Sequence, residues 1–373
     1  MTGEKVTLKR IAPVFLATML ALTACNSGGD EAAPGEAPQA DAAPEEDTIP
    51  AEELSGLLEY HRGTRGVFLT FHDVEDGTQR SLIDLTDLAL AETGGMGIEA
   101  FWDRFAFSPD FRFAAYEHDG GLRFGELNAQ TYSYDWTGVV EPQESTTFSG
   151  GAIEYLSPQF SPDGSQLWFE EQHENREEED SRIFSVDVTD PKGEPEHQGD
   201  APRDVGTIHE VDSRVLSGQG TWRGPDNVYT ITEDNQLEVL ERVNDEETGL
   251  DYFIGDTTGV VPWSFVEGAP GQFFGPIGFD RSTFTELHSL SVSDDGTVSD
   301  DGIDLEATGN SISRVWADKE HDRLILLAGS SYFAYAPGSD DEPVALFDDL
   351  TYEGRPEGTV QTEVLGVYPV HNG

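Results

Sequence analysis

The sequence predicts an all-β fold for residues 54–373, and three features carry this prediction. From Leu54 onward no long stretch has helical periodicity. Short runs of alternating apolar residues are separated by Gly, Asp, Asn and Pro, which is typical of strands and tight turns. A motif consisting of an aromatic residue and a turn recurs along the chain, and 21 phenylalanines supply material for a core.

The first 24 residues have the order of a bacterial export signal. Lys5, Lys9 and Arg10 form a positive start, and an apolar stretch over residues 11–22 follows. This stretch is too short to span a bilayer as a stable helix, and its position is typical of a signal peptide.

Cys25 is the only cysteine, which excludes a disulfide within the chain and a cysteine-based metal site or redox pair. With Leu22, Thr23 and Ala24 it resembles the lipobox of bacterial lipoproteins. The resemblance implies cleavage before Cys25 and acylation of its thiol. Because two or three acyl chains give lasting attachment, we expect a lipid anchor on the extracytoplasmic face of the cell membrane. The alternative is a chance cysteine behind an ordinary secretion signal.

Residues 26–53 predict a disordered linker. They are rich in Gly, Pro, Ala, Asp and Glu, and they contain neither an aromatic residue nor a positive charge. Such a segment cannot bury enough apolar surface to offset its conformational entropy. The predicted organisation is therefore a signal peptide (1–24), a lipidated cysteine with an acidic linker (25–53) and a β-domain (54–373).

The chain is strongly acidic, with 73 acidic against 21 basic residues and a formal net charge of −52. Such a surface repels the phosphates of nucleic acids and anionic lipid headgroups, so we expect no nucleic-acid partner. An acidic surface poor in lysine also stays soluble in concentrated salt. Salt adaptation and a high-GC codon bias both explain this composition.

A hairpin and a repeated turn motif organise the β-domain. The runs 67–71 and 81–85 flank the turn signal Asp76-Gly77 and predict the hairpin. In the repeated motif an aromatic residue should end a buried strand, Pro sets the turn, and Asp should bond the turn backbone. Its first copy is Phe107, Ser108, Pro109, Asp110, and its second is Phe160, Ser161, Pro162, Asp163, Gly164. Weaker copies begin at Trp222 and Trp316.

The complete copy at residues 160–164 resembles the blade motif of TolB-like β-propellers. The resemblance implies a single β-propeller, and a period near 50 residues suits blades with loops. We predict six blades, at about 53 residues each, and residues 359–370 as a strand that closes the first blade. Seven blades and a pair of β-sandwich domains are the alternatives.

Signatures of catalysis are absent from the sequence. It contains no Gly-x-Ser-x-Gly elbow, no His-Glu-x-x-His zinc motif, no phosphate-binding loop and no dinucleotide fingerprint. We therefore predict no catalytic residue, no metal ligand and no cofactor.

Four features allow a functional and a structural interpretation. Three His-Asp pairs (His72-Asp73, His118-Asp119, His321-Asp322) suit metal or acid–base groups, but also turns at strand ends. The oxygen-rich segment 293–306 suits Ca²⁺, but also two successive Asp-Gly turns. The acidic run 170–180 is a docking site or a solvated loop. The tryptophans form a sugar platform or belong to the core: Trp102, Trp136, Trp168, Trp222, Trp263, Trp316.

These observations favour a non-enzymatic, monomeric lipoprotein whose propeller is a binding or scaffold module for a protein or a small ligand. Proteins of the TolB-like group mostly engage protein partners, which is what the resemblance implies. A carbohydrate-active lyase or hydrolase of the cell envelope, with acids at the propeller channel, is the alternative. A solute-capture lipoprotein serving a transporter is a weaker one.

Overall fold

A computed structural model describes the following residues: 49–63, 66–86, 104–142, 153–173, 181–201, 206–207, 221–223, 227–232, 234–244, 251–255, 259–262, 266–269, 272–275, 286–293, 297–300, 303–304, 312–338, 342–353 and 358–368. The signal peptide, Leu22, Thr23, Ala24, Cys25 and nearly all of the predicted linker lie outside these residues. Among the described residues, no helix has the length and apolar character needed to cross a bilayer.

Strands dominate the described chain, after a 3₁₀ turn at Ala51–Leu54. The first seven are β1 (Gly56–Gly63), β2 (Val67–His72), β3 (Gln79–Asp84), β4 (Phe105–Phe107), β5 (Phe113–His118), β6 (Gly121–Asn128) and β7 (Ser133–Val140). The next four are β8 (Ile153–Phe160), β9 (Gln166–His173), β10 (Ser181–Asp187) and β11 (Glu196–Ala201).

The second half of the chain continues in the same way. It has β12 (Gly206–Thr207), β13 (Thr221–Arg223), β14 (Asn227–Ile231), β15 (Leu237–Asn244), β16 (Asp251–Gly255) and β17 (Gly259–Pro262). Then follow β18 (Val266–Ala269), β19 (Gln272–Gly275), β20 (Glu286–Val292), β21 (Val298–Asp300) and β22 (Ile303–Asp304). The last are β23 (Ile312–Asp318), β24 (Arg323–Ala328), β25 (Ser331–Tyr335), β26 (Val344–Phe347) and β27 (Thr359–Tyr368).

These strands form antiparallel sheets in chain order. The first sheet has the order β27-β1-β2-β3-β7-β6-β5-β4, and its two halves meet at one parallel pair, Asp84 with Ser133. The other sheets are β8–β11, β12–β17, β18–β22 and β23–β26. The predicted hairpin is confirmed, since β2 and β3 pair antiparallel with Leu69 opposite Ile83.

The last strand completes the first sheet. β27 pairs antiparallel with β1, with Leu57 opposite Val367 and Tyr60 opposite Glu363. The prediction that residues 359–370 supply a closing strand is therefore confirmed. This pairing covers an edge of β1 that would otherwise expose unpaired backbone groups.

Apolar side chains join each sheet to the next in chain order. Strands β4–β7 share a cluster with β8–β10, which includes Phe124 and Phe160. Trp168 of β9 packs with Tyr229 of β14, and Tyr252 of β16 with Phe273 of β19. A further cluster joins β19 and β20 to β23–β25.

The succession returns to its start. Leu57 of β1 packs with Trp316, Ile325 and Tyr332 of the last sheet. The opposite face of β1 and β2 packs on β4 and β5, which closes the cycle through the first sheet. Sheets that pack face to face in a closed order form a β-propeller, as the sequence predicted. The number of blades stays a prediction.

The acidic run 170–180 is in part a strand, which corrects its interpretation as a loop. Glu170 and Glu171 belong to β9 and are 1% and 6% exposed. Gln172 donates a hydrogen bond to Glu170, and Arg182 on β10 pairs with Glu171. Because Gln172 on the same strand and Arg182 on the neighbouring strand contact these carboxylates, they can be buried despite their charge. Residues 174–180 lie outside the described chain.

Candidate functional site

A cluster of buried ionisable side chains lies on one face of the hairpin β1–β2. Glu59 and His61 are two residues apart on β1, and alternation along a strand points both side chains to the same side. His72, the last residue of β2, pairs with Leu57 and shares that face. Leu57 packs against the last sheet, so the cluster occupies the junction between the first and last sheets.

The two histidine side chains approach the same carboxylate oxygen of Glu59. Oε2 of Glu59 lies 2.9 Å from Nε2 of His61 and 3.3 Å from Nε2 of His72. The side chains of both histidines are 0% exposed, and that of Glu59 is 6% exposed. Polar groups buried to this extent need partners, because their loss of hydration is otherwise uncompensated.

A residue far along the sequence orients the carboxylate. The hydroxyl of Tyr352, which follows β26, donates hydrogen bonds of 2.8 and 3.1 Å to the two oxygens of Glu59. Its ring stands edge-on to both imidazoles, at centroid distances of 5.5 Å from His61 and 5.2 Å from His72. Tyr352 therefore ties the segment before β27 to the buried face of the first sheet.

The cluster keeps Glu59 ionised. Burial raises the pKa of the Glu59 carboxyl, but contacts with His61 and His72 and the Tyr352 hydroxyl outweigh it and lower the pKa to about 2. Across the junction, burial and then the charge of Glu59 raise the pKa of Tyr332 above its usual value. The Glu59 carboxylate thus stays negatively charged at neutral pH.

Backbone groups orient His72 from the other side. Its Nδ1 lies 3.3 Å from the carbonyl oxygen of Gly77, in the turn between β2 and β3. A carbonyl oxygen only accepts, so this contact requires a proton on Nδ1. In the neutral ring the lone pair of Nε2 then points toward Glu59. The backbone N–H of Thr351 donates to the same carbonyl, at 2.9 Å.

Several buried atoms of this face lack a hydrogen bond of good geometry within the part of the chain that the structure describes. They are both ring nitrogens of His61, Nε2 of His72 and the hydroxyl of Thr70, which pairs with Glu59 across β1 and β2. Buried polar atoms without partners are uncommon in folded proteins, and each is a place where an ion or a water molecule fits.

Chemically, the arrangement offers two imidazole nitrogens and one carboxylate to a common centre. All three ligand atoms lie within 4.8 Å of one another. Two histidines and a glutamate are a ligand set that holds transition metals such as zinc. The prediction of no metal ligand made from sequence did not consider Glu59, His61 or Tyr352.

The other two His-Asp pairs lie in different surroundings. His118 Nε2 is 3.2 Å from its neighbour Asp119. His321 contacts Asp318 at 2.9 Å, and Arg323 binds the same carboxylate. Neither histidine belongs to the group that contains His72. Sequence reasoning linked the three His-Asp pairs, but the partners of His72 come from β1 instead.

The two turn motifs have the same hydrogen bonds. In the first copy the Ser108 hydroxyl donates to Asp110 at 2.6 Å and accepts from the N–H of Phe113 at 2.9 Å. Asp110 also accepts from the N–H of Arg112, at 3.1 Å. Phe107 is half-buried at the end of β4, and Pro109 lies 3.4 Å from the position that a Cβ atom at Gly164 would take.

The second copy repeats this pattern. Ser161 donates to Asp163 at 2.6 Å and accepts from the N–H of Gln166 at 2.9 Å. Asp163 accepts from the N–H of Ser165 and from the amide of Asn235, both at 2.9 Å. Phe160 is buried, and Pro162 occupies the turn position. Both motifs are turn structures by their contacts.

Some of the remaining candidates belong to the core, others fall outside the described residues, and Trp136 is partly buried against the core. Trp168 and Trp316 are 0% and 4% exposed, which places them in the core. In the segment 293–306, for which Ca²⁺ binding was one of two interpretations, residues 294–296, 301–302 and 305–306 lie outside the described residues, as do Trp102 and Trp263.

Comparisons with known proteins give only a distant structural likeness. No protein-family model and no curated protein matches the chain. Solved structures that resemble it include the β-propeller domain of Cps50 (Swd1) from Myceliophteria thermophila, at 10% identity and a TM-score of 0.34. That match covers 80% of this chain and 84% of the other.

Two bacterial structures resemble the chain to a similar degree. A putative TolB from Agrobacterium tumefaciens is 11% identical at a TM-score of 0.30, over 77% of this chain and 80% of its own. A putative 6-phosphogluconolactonase from Bacteroides uniformis is 12% identical at a TM-score of 0.32, over 78% and 82%. Likeness this distant carries no inference about substrate or partner.

Proposed function

We propose that this chain is an exported lipoprotein, anchored through Cys25, whose propeller is a binding or scaffold module for a protein partner. Two separate observations support the proposal. The lipobox-like residues 22–25 support the anchor. A patch of exposed apolar side chains on the propeller supports the partner.

The patch lies on neighbouring strands of the β12–β17 sheet. Val239 and Val243 stand on the same face of β15 and are 48% and 40% exposed. Glu241 lies between them and pairs with Ile254 of β16, which is 39% exposed. Isolated exposed apolar residues are common, but three on adjoining positions of two paired strands mark an interaction surface.

The surroundings of the patch define the partner's chemistry. Glu241 divides the three apolar side chains, and the whole chain has a formal net charge of −52. A partner therefore needs an apolar contact area bordered by basic residues, because like charges at the rim would oppose binding. Such association should weaken as salt screens the charges.

The anchor is tested with Cys25→Ser in the native host. We expect the unmodified chain to sediment with membranes and the variant to appear in the soluble fraction, because the thioether requires the thiol. Labelling with a radioactive fatty acid should mark only the unmodified chain. A variant that stays with the membranes, or that still takes up label, would contradict the anchor.

The binding module is tested by cross-linking on intact cells, with Val243→Ser and Ile254→Ser as the altered chain. A partner that cross-links to the unmodified chain should be lost with this double variant. Val344→Ser is the matched control, because Val344 is 63% exposed on β26, in another sheet. Equal cross-linking by all three chains would contradict the patch, independently of the anchor.

A further inference from the structure

We propose that Glu59, His61 and His72 bind one zinc-class divalent metal ion, which fastens β1 to β2 at the junction between the first and last sheets. This structural role goes beyond the binding function proposed above and does not depend on it. The ligand atoms are Nε2 of each histidine and one carboxylate oxygen.

The spacing of the ligand atoms fits a small coordination shell. With ligands about 2.0–2.1 Å from zinc, tetrahedral geometry places neighbouring ligand atoms about 3.3–3.4 Å apart. In the structure Oε2 of Glu59 lies 2.9 and 3.3 Å from the two imidazole nitrogens. These two distances lie within a few tenths of an ångström of that spacing, the three ligand atoms all lie within 4.8 Å of one another, and a water molecule would be the fourth ligand.

Groups that orient two of the three ligands, His72 and Glu59, are already in place. Metal-bound histidines usually donate their other N–H to a carbonyl or carboxylate, which fixes the tautomer. Nδ1 of His72 has this contact with the Gly77 carbonyl, and Nε2 is left to face the site. Tyr352 donates to Glu59 and holds its carboxylate toward the histidines.

An ion also explains the buried atoms that lack partners. Nε2 of His61 and Nε2 of His72 are buried, and neither makes a hydrogen bond of good geometry among the described residues. A cation between them gives both nitrogens and the Glu59 carboxylate a common partner. Among the residues that the structure describes, the hydroxyl of Thr70, which is opposite Glu59 on β2, is also buried without a hydrogen-bond partner.

Ligand chemistry and burial decide the kind of ion and its role. Two imidazoles and one carboxylate favour zinc, copper or nickel over calcium and magnesium, which prefer oxygen ligands. The side chains of both histidines are 0% exposed, so a substrate has no access to the metal. The ion is structural, and it stabilises the sheets that close the propeller.

The direct test is a titration of the metal-free full chain with Zn²⁺. Because 73 acidic residues bind cations weakly, the titration contains excess Mg²⁺ to occupy surface carboxylates. We expect one equivalent to bind and the melting temperature to rise by several degrees at saturation, since a ligand of the folded state stabilises it. Absence of a Mg²⁺-resistant equivalent would overturn the proposal.

Variants locate the site. Glu59→Gln, His61→Gln and His72→Gln should each weaken zinc binding at least tenfold. The matched control is His197→Gln, because His197 is an exposed histidine that pairs with Asp200 away from this junction. Circular dichroism identifies variants that remain folded. Unchanged affinity in the folded cluster variants would overturn the assignment.

A measurement on the unmodified chain keeps the test independent of variant folding. X-ray absorption at the zinc edge should show two imidazole nitrogens and oxygen ligands at about 2.0–2.1 Å. A shell made only of oxygen would place the bound zinc on surface carboxylates and would contradict the site.

Discussion

Phe111, in the turn after β4, has the same left-handed backbone conformation as Gly164, which takes the equivalent place in the turn after β8. Their φ angles are 58° and 70°, and in each turn the backbone N–H bonds the carbonyl of Ser108 or Ser161 at 2.8 Å. A side chain at positive φ costs roughly 1–2 kcal/mol. The ring of Phe111 is 1% exposed and packs edge-on against Phe71 and Tyr368, which offsets that cost.

The first prediction concerns this position. Gly164→Ala should lower the free energy of unfolding by about 1 kcal/mol, because alanine at φ 70° is strained. Phe111→Gly should lower it by about 3 kcal/mol, since the lost burial exceeds the relieved strain. Urea denaturation measures both. Gly338→Ala, at φ 74° with no atom within 4 Å, gives the backbone cost alone. An unchanged urea midpoint for Gly164→Ala would show that alanine causes no backbone strain at this position.

The second prediction concerns acid stability through Asp163. Burial raises the pKa of its carboxyl, but hydrogen bonds from Ser161, Ser165 and Asn235 lower the pKa to about 2. The folded pKa is depressed, so this stabilisation is complete above about pH 4 and is lost as the pH falls toward 2.

Asp163→Asn should therefore lower the free energy of unfolding at neutral pH. Near pH 2 the variant and the unmodified chain should have the same free energy of unfolding. Because the Asp163 carboxyl is exposed to solvent, we expect the substitution to lower the free energy of unfolding by about 1 kcal/mol or less at pH 7. Urea midpoints measured from pH 7 to pH 2.5 check this. Asp190→Asn replaces another exposed carboxyl and serves as the control. A difference that grows as the pH falls would have the wrong sign.

The third prediction concerns an ion pair between the first and last sheets. Arg323 on β24 binds Asp318 at 2.8 Å and Glu75, in the turn after β2, at 2.5 Å. The side chain of Asp318 is 3% exposed, so its charge depends on its contacts with Arg323 and His321. Arg323→Ala should cost about 2 kcal/mol of unfolding free energy, because it leaves a buried carboxylate short of a partner.

Arg112→Ala is the comparison for Arg323. Arg112 pairs with Glu126, and both side chains are more than half exposed. Loss of this surface pair should cost no more than about 0.5 kcal/mol. Thermal or urea unfolding of both variants measures the difference. Equal effects would mean that the Asp318 pair contributes no more than a surface contact.

The fourth prediction concerns β27. A chain that ends at residue 357 leaves β1 with an open edge and removes Leu365 and Tyr368 from the core. We expect it to aggregate or to unfold without cooperativity. A synthetic peptide of residues 358–370 should bind the shortened chain and restore part of the transition, and a scrambled peptide should not. A shortened chain with the original midpoint would refute the closure.

Local signals in the sequence predicted much of the fold. Asp76-Gly77 between two alternating runs sufficed for the hairpin β2–β3, because turn type and strand period act over a few residues. The weak periodicity of residues 359–368 sufficed for the closing strand, since an all-β ring needs one. The burial of Glu170 and Glu171 was missed, because Arg182, the partner of Glu171 on β10, becomes its neighbour only in the sheet.

The candidate site depends on contacts that sequence spacing does not reveal. Glu59-x-His61 within a strand places both side chains on one face, and this signal was available. The approach of His72 depends on the register of β1 and β2. Tyr352 approaches from 293 positions away, through the closure of the propeller. The repeated turn motif is the more conspicuous signal in the sequence, but its Ser and Asp side chains form hydrogen bonds within the turn.

The pairing of β1 with β27 has a consequence for biosynthesis. During translation, β1 is made some 300 residues before its partner, and ring closure across so long a loop is slow. Until β27 has been synthesised, the edge of β1 in each nascent chain is unpaired, and β27 of a neighbouring copy can pair with it. Crowded synthesis should therefore produce strand-exchanged dimers, and dilute or chaperone-assisted synthesis should favour the monomer.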